Sequence, residues 1–224
     1  MTPLPREQTR ARYPDESGYA ERGGVKLHYE VYGSGGPTIL LLPTWSIVHS
    51  RHWKMQIPYL ARHGRVVTFD GRGGHLLRRV IAAFPEARER VPGLRMIVVA
   101  GPRIDPASLP AHDGLEVLPY VHELYRHLAV CDLAVVQGGL TTTMELTANR
   151  RPFIYFPLRH HFEQNFHVRH RLERYRAGRC MDYATASSAD IADAIASEIG
   201  RETDYRPVAT DGAARAAALL AELL

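Results

Sequence analysis

Hydrophobic and polar positions along the chain fall into distinct stretches. Residues 1–22 are polar and proline-containing with few apolar anchors, and are predicted to form a flexible arm. Apolar and polar residues then alternate over 25–32 (VKLHYEVY), which predicts a strand, and 33–37 (GSGGP) reads as a turn. The short apolar run 38–42 (TILLL) is read as a buried strand, 51–62 as a helix ending near His63 and Gly64, and 65–70 (RVVTFD) as another buried strand. After the Gly-rich stretch 71–74 the pattern becomes regular. A helix is expected over 75–90, with strands at 95–100, 115–118, 132–136, 152–156 and 179–183. Helices fall between them at 122–129, 141–149 and 162–175, and two more close the chain at 188–200 and 211–223.

Strands alternating with helices imply an α/β fold, with a mostly parallel sheet covered by helices on both faces. Counting 66–70 as the first gives six strands, the number in a Rossmann-like domain. In the order 3-2-1-4-5-6, strand 66–70 pairs with 95–100 on one side and 132–136 on the other. The local strand–helix–strand unit 38–70 asks for something else, a direct pairing of 38–42 with 66–70. A strand has two edges, so the three pairings are incompatible. The larger buried surface favours the six-strand order, with 38–42 displaced, its leucines poorly covered and the chain prone to form a homodimer.

Composition narrows the picture modestly. The chain has 224 residues, of which 45% are hydrophobic, enough for a packed core. A net charge of +4 suits an anionic ligand or an acidic membrane surface approached peripherally. No helix-turn-helix, zinc-finger or RRM pattern occurs, so nucleic acid is not an expected partner. The two cysteines, Cys131 and Cys180, lack disulfide-framework or metal-ligand spacing and are expected to be reduced. With no apolar leader and no run near the ~20 residues of a membrane span, the expected location is cytoplasmic.

Gln137-Gly138-Gly139 stands where a buried strand ends and a helix begins. Glycines there let backbone amides approach an anion, and the helix adds the positive end of its dipole. Thr141, Thr142 and Thr143 offer hydroxyls to a diphosphate. The alternative is a plain strand-to-helix turn with a threonine N-cap.

Residues 118–121 (LPYV), 131–139 (CDLAVVQGG), 140–146 (LTTTMEL), 151–157 (RPFIYFP) and 162–165 (FEQN) resemble, in order and spacing, the donor domain of GT-B glycosyltransferases. That group includes the family 28 enzymes and the UDP-glycosyltransferases. The resemblance runs over 74–224 and implies a nucleotide-sugar, a UDP-sugar, as donor substrate, no separate cofactor, hexosyl transfer, and a lipid or natural-product acceptor. It implies that Gly138, Gly139, Thr141 and Thr142 hold the diphosphate, that Glu145 binds the ribose, and that Glu163 and Gln164 contact the sugar. Tyr120 and Val121 would meet the base. Gln137 replaces a histidine common in the UDP-glycosyltransferases and keeps a neutral donor. Thr142-x-x-Glu145 also reads as a capping box, and Glu163 as the acidic first turn of a helix. Tyr120 and Val121 also read as an ordinary strand end.

Residues 24–33 (GVKLHYEVYG), 38–43 (TILLLP) and 65–73 (RVVTFDGRG) resemble the opening strands of an α/β-hydrolase. That resemblance stops at Gly74, which suggests a seam at 71–74 between a truncated hydrolase-like segment, 23–73, and the donor domain. No Gly-x-Ser-x-Gly occurs, and Pro43-Thr44-Trp45 replaces the His-Gly expected near an oxyanion hole, both of which argue against esterase chemistry. His160, His161, His167 and His170 lie in a stretch rich in arginine, read as a solvated basic surface in preference to a metal site. No catalytic base is named. The alternative to a transferase is a nucleotide-sugar-binding module without turnover.

Overall fold

A computed structural model of the chain describes residues 11–23, 25–42, 50–71, 75–101 and 104–222. The fold is mixed α/β with parallel strands and helices, divided into one unit of residues 1–74 with 101–105 and another of 75–100 with 106–224. Residues 43–49, which include Pro43-Thr44-Trp45, and residues 72–74 of the expected seam lie outside the described residues.

In the first unit, strands β1 (Glu16–Arg22), β2 (Val25–Tyr32), β3 (Thr38–Leu41) and β4 (Arg65–Gly71) form one sheet in the order β1-β2-β4-β3. β1 runs antiparallel to β2, β2 antiparallel to β4, and β3 parallel to β4. The expected arm therefore contains a strand. Its sequence ESGYAER carries almost no apolar alternation because nearly every side chain is exposed, so pairing with β2 and not burial makes it a strand. The expected helix over 51–62 is reduced to α1 (Gln56–Leu60), preceded by a 3-10 turn at Ser50–Trp53. Pro58 has no N–H to give to a carbonyl one turn back, so the α-helix begins just ahead of it.

The six-strand order is not formed. β3 pairs directly with β4 from Thr38↔Arg65 to Leu41↔Thr68, and β2 occupies β4's other edge. β3 and β4 are the two strands of one local strand–helix–strand unit with α1 in its crossover, and that unit forms in preference to the long-range pairing of β4 with 132–136. Strand 38–41 is thus not displaced, although Leu40 and Leu42 remain exposed. Tyr32, Ile57, Ala61 and Val66 form the apolar core of this unit. Buried carboxylates are satisfied nearby: the Tyr32 hydroxyl donates to Glu30 at 2.6 Å, and the Ser50 N–H and hydroxyl donate to Asp70 at 2.8 and 2.6 Å.

The second unit holds two smaller parallel sheets. β5 (Met96–Val99) pairs with β6 (Leu115–Leu118), and β7 (Ala134–Gln137), β8 (Phe153–Phe156) and β9 (Arg179–Cys180) form the other in sequence order. The helices are α2 (His75–Arg90), α3 (Leu124–Val130), α4 (Leu140–Ala148), α5 (Arg169–Tyr175), α6 (Ser188–Glu198) and α7 (Gly212–Ala221). Val80, Phe84 and Ala87 of α2 pack with Ile191 and Ile195 of α6 and with Ile154 and Phe156 of β8, and Met96, Leu115 and Val135 join from β5, β6 and β7. Arg79 ties α2 to the stretch before α6, donating to the carbonyls of Tyr183 and Ala186 with its guanidinium 3.7 Å from the Tyr183 ring centre. A second cluster, with Leu146, Phe153, Tyr155, Val168 and Leu172, lies around α4, β8 and α5. Both cysteines are free, and burial raises the Cys131 thiol pKa above its ordinary value.

Two local features set testable limits on stability. Gly33 ends β2 at φ +73°, and an added Cβ would lie 2.6 Å from the carbonyl oxygens of Ala61 and Gly64. Gly33→Ala is expected to destabilise the protein by about 2 kcal/mol or more in urea unfolding, because left-handed backbone strain adds to a clash with backbone that has no rotamer to change. At the start of α6, the Ser187 hydroxyl and N–H lower the Asp190 pKa below its ordinary 3.8, within a reciprocal capping box. A lowered folded-state pKa means the contribution is complete above the unfolded value and is lost as pH falls through the folded one. Thermal melts should find wild type more stable than Asp190→Asn at neutral pH, with the difference shrinking as pH falls below 3.8 through the lowered folded-state value.

Candidate functional site

The residues singled out from the sequence lie beyond the carboxyl ends of parallel strands, where ligands of open α/β sheets bind. β7 ends at Gln137, and α4 begins at Leu140, one residue ahead of the expected start. Between them the Gly138 N–H donates to the Phe156 carbonyl at 3.2 Å, and the Gly139 N–H to the Gln137 carbonyl at 2.8 Å. Gly139 is the N-cap residue, extended at φ −73° and ψ 135°, and has no side chain to cap the helix. The amides of Leu140, Thr141 and Thr142 consequently have no acceptor among the described residues. They present the positive end of a nine-residue helix along its axis, beyond the first turn.

The three threonines divide by environment. Thr143 is fully buried, and its hydroxyl donates to the Gly139 carbonyl at 2.8 Å and to that of Leu140 at 3.1 Å, so it fixes the first turn. Thr141 is exposed and Thr142 half-buried, and neither hydroxyl has a partner among the described residues. The capping-box reading of Thr142 and Glu145 is not realised, because the helix starts ahead of Thr142 and its N-cap is Gly139. Glu145 lies well inside α4, half-buried, with no side-chain partner among the described residues.

A second junction packs against the first. An added Cβ on Gly138 would lie 3.2 Å from Pro157 Cα and 3.5 Å from Gln164 Oε1, so only glycine lets these chain segments meet without adjustment. Gln164 is 4% exposed, and its Oε1 accepts the Leu158 N–H at 2.9 Å. Asn165, to which the sequence attached no role, donates from Nδ2 to the carbonyls of Leu158 at 2.6 Å and His161 at 2.9 Å. Glu163 is exposed beside them. The expected continuous helix over 162–175 is a π-helix over Glu163–Val168 followed by α5. The wider turn places Gln164, Val168 and Leu172 in the interior.

Tyr120 and Val121 occupy the loop after β6. The Tyr120 ring is 69% exposed and Val121 is buried. Glu123, two residues on, adopts φ 49°, a left-handed conformation uncommon for a glutamate, and is held by Arg126 Nε at 2.9 Å and the Tyr125 hydroxyl at 3.0 Å. Gln137 is exposed at the end of β7.

Elsewhere, the histidines at 160, 161, 167 and 170 build no metal site, since no group of three or more suitable ligands exists among the described residues. Two shallow depressions in the second unit lie away from the Gly138 turn. One is lined by Phe84, Arg88, His112 and Asp113, and the other by Cys180, Asp182, Asp190 and Asp193. The turn itself is an open ledge of backbone amides, a shape that an anion can contact without a deep cavity.

The model of the glycosyltransferase family 28 C-terminal domain matches residues 76–224. No curated protein matches the chain. Among solved structures, the glycosyltransferase of kitacinnamycin is 14% identical, covering 80% of this chain and 36% of its own, with a TM-score of 0.44. The spinosyn forosaminyltransferase SpnP is 20% identical, covering 84% and 44%, with a TM-score of 0.42. The chain therefore spans less than half the length of either.

The bracing of the loop after β8 can be tested by itself. Gln164→Ala leaves the Leu158 N–H without its acceptor and opens space beside Gly138. Urea unfolding is expected to register a loss of about 1–3 kcal/mol, with faster hydrogen exchange at Leu158.

Proposed function

The chain belongs, through residues 76–224, to the glycosyltransferase family 28 C-terminal domains, and from that membership we propose that its second unit binds a nucleotide-sugar donor for glycosyl transfer. The observation that carries this reading is the uncapped N-terminus of α4. Gly139 leaves three successive amides without acceptors, with the Thr141 and Thr142 hydroxyls beside them, and a diphosphate supplies the oxygens that such a turn lacks.

The remaining residues divide the donor between them. Tyr120 offers an exposed ring face to the base, with the Val121 backbone along its edge. The Glu145 carboxylate accepts hydrogen bonds from the ribose hydroxyls. Glu163 accepts from the sugar hydroxyls, while Gln164, whose carbonyl oxygen already holds Leu158, can offer only its amide NH2. We take the donor to be a UDP-sugar, the transferred group a hexosyl unit, and the acceptor a hydroxyl of a lipid or natural product. In the transfer, the acceptor oxygen bonds to the anomeric carbon as the bond from that carbon to the diphosphate breaks. The nucleoside diphosphate leaves with the electron pair, and the acceptor proton passes to a base. The α4 amides stabilise the negative charge that grows on the leaving group. No cofactor enters this scheme.

A second reading, donor binding without turnover, is favoured by one observation. The family match starts at residue 76, so the four strands β1 to β4 lie outside it, and no residue in the matched region is placed as the base.

Isothermal titration with UDP and UDP-sugars tests the reading, and Gly139→Asp is a clean probe. Gly139 has φ −73° and open space where a Cβ would go, and aspartate is a favoured N-cap, so the fold should be kept. Its carboxylate would occupy the place of the diphosphate and repel it. Nucleotide binding is expected to fall below detection. Unchanged affinity would move the phosphate site elsewhere, and donor hydrolysis by the wild type would separate turnover from binding.

A further inference from the structure

The segment after the Gly138-facing loop carries a feature that donor binding does not use. Phe162 and Phe166 are 61% and 62% exposed, one helical turn apart, with ring centroids 4.8 Å apart and planes inclined by 30°. His167 meets the Phe162 ring edge-on at 5.2 Å. The inward positions of the same segment, Gln164, Val168 and Leu172, are buried, so the aromatic pair is not part of the core. Around it the chain is basic. Arg159, Arg171 and Arg174 are exposed and form no ion pair with a carboxylate among the described residues, whereas Arg169 and Arg176 are paired with Glu173 and Asp204.

We propose that this face, Phe162 and Phe166 with Arg159, Arg171 and Arg174, docks on an anionic lipid bilayer surface. Charge complementarity selects the occupant, since three unpaired guanidiniums favour headgroups of net negative charge, and each basic residue near such a surface strengthens binding roughly fivefold. The two rings then enter the boundary between headgroups and acyl chains, as the apolar side of an interfacial helix does. Nucleic acid is the competing occupant, and the test below separates it from the bilayer. The placement is independent of the donor reading, though it would hold the Glu163 neighbourhood close to a lipid acceptor.

The test is co-sedimentation of the full chain, without nucleotide, with vesicles of phosphatidylcholine alone and of phosphatidylcholine containing phosphatidylglycerol. Binding is expected only to the phosphatidylglycerol vesicles, weakening as salt rises. F162S/F166S should weaken it by about tenfold or more, as expected for removing two buried aromatic anchors, and both substitutions lie at exposed positions that the core does not need. R159Q/R171Q/R174Q provides a second, independent loss with the aromatic pair intact. Absence of binding, equal binding to both vesicle types, or full binding by either variant would overturn the proposal. So would capture of a single-stranded oligonucleotide that phosphatidylglycerol vesicles cannot compete away. Because no nucleotide is present, none of these results bears on the donor site.

Discussion

A β-strand has two rows of backbone donors and acceptors, one along each edge, and β4 has both rows filled by β2 and β3. That saturation fixes the four-stranded sheet of the first unit in the order β1-β2-β4-β3. Among the described residues β5 and β7 of the second unit each pair on one side only. The five strands of the second unit are therefore joined by side chains where a continuous ladder is lacking. Phe84, Ile154, Phe156, Ile191 and Ile195 lie in one apolar cluster that reaches β5, β6 and β7 alike. Apolar burial has no direction, so it can hold two short sheets under the same helices without a hydrogen bond between them.

Within that scaffold the candidate site depends on close approach of backbone to backbone. Gly138 meets Pro157 and Gln164, Gln164 holds Leu158, and Asn165 gathers the carbonyls of Leu158 and His161. The turn after β7 and the loop after β8 are thus positioned by one buried amide and its neighbour. The amides at the head of α4 find no acceptor among the described residues. Thr143 bonds backward into its own helix, and Gly139 has no side chain.

Much of this was legible in the sequence where local pattern and burial agree. The apolar runs at 96–99, 134–137 and 153–156 and the helix at 75–90 emerge where the periodicity puts them. The Gly-Gly pair marked the strand-to-helix junction, because few other sequences permit it. β1 was illegible because an exposed edge strand leaves no apolar alternation to read. The pairing of β4 was misjudged because sequence supplies competing partners without their relative cost, and β2 and β3 took both of its edges. Whether Thr142 or Gly139 would cap α4 could not be decided from composition, since threonine and glycine both serve at that position. The clamp made by Asn165 depends on a loop conformation that no periodicity encodes.

The π-helix over Glu163–Val168 sets a phase. Relative to an α-helix it contains one additional residue per turn, which rotates everything before it against everything after it by about 100°. The angular position of Phe162 relative to the arginines of α5 is accordingly a property of segment length, not of residue identity. Loss of a single residue from 163–168 would restore ordinary helical winding and turn the two groups out of register, with no side chain on either of them altered. In this region an insertion or deletion carries more meaning than a substitution, and chains that share every aromatic and basic residue but differ by one position in length would present different surfaces.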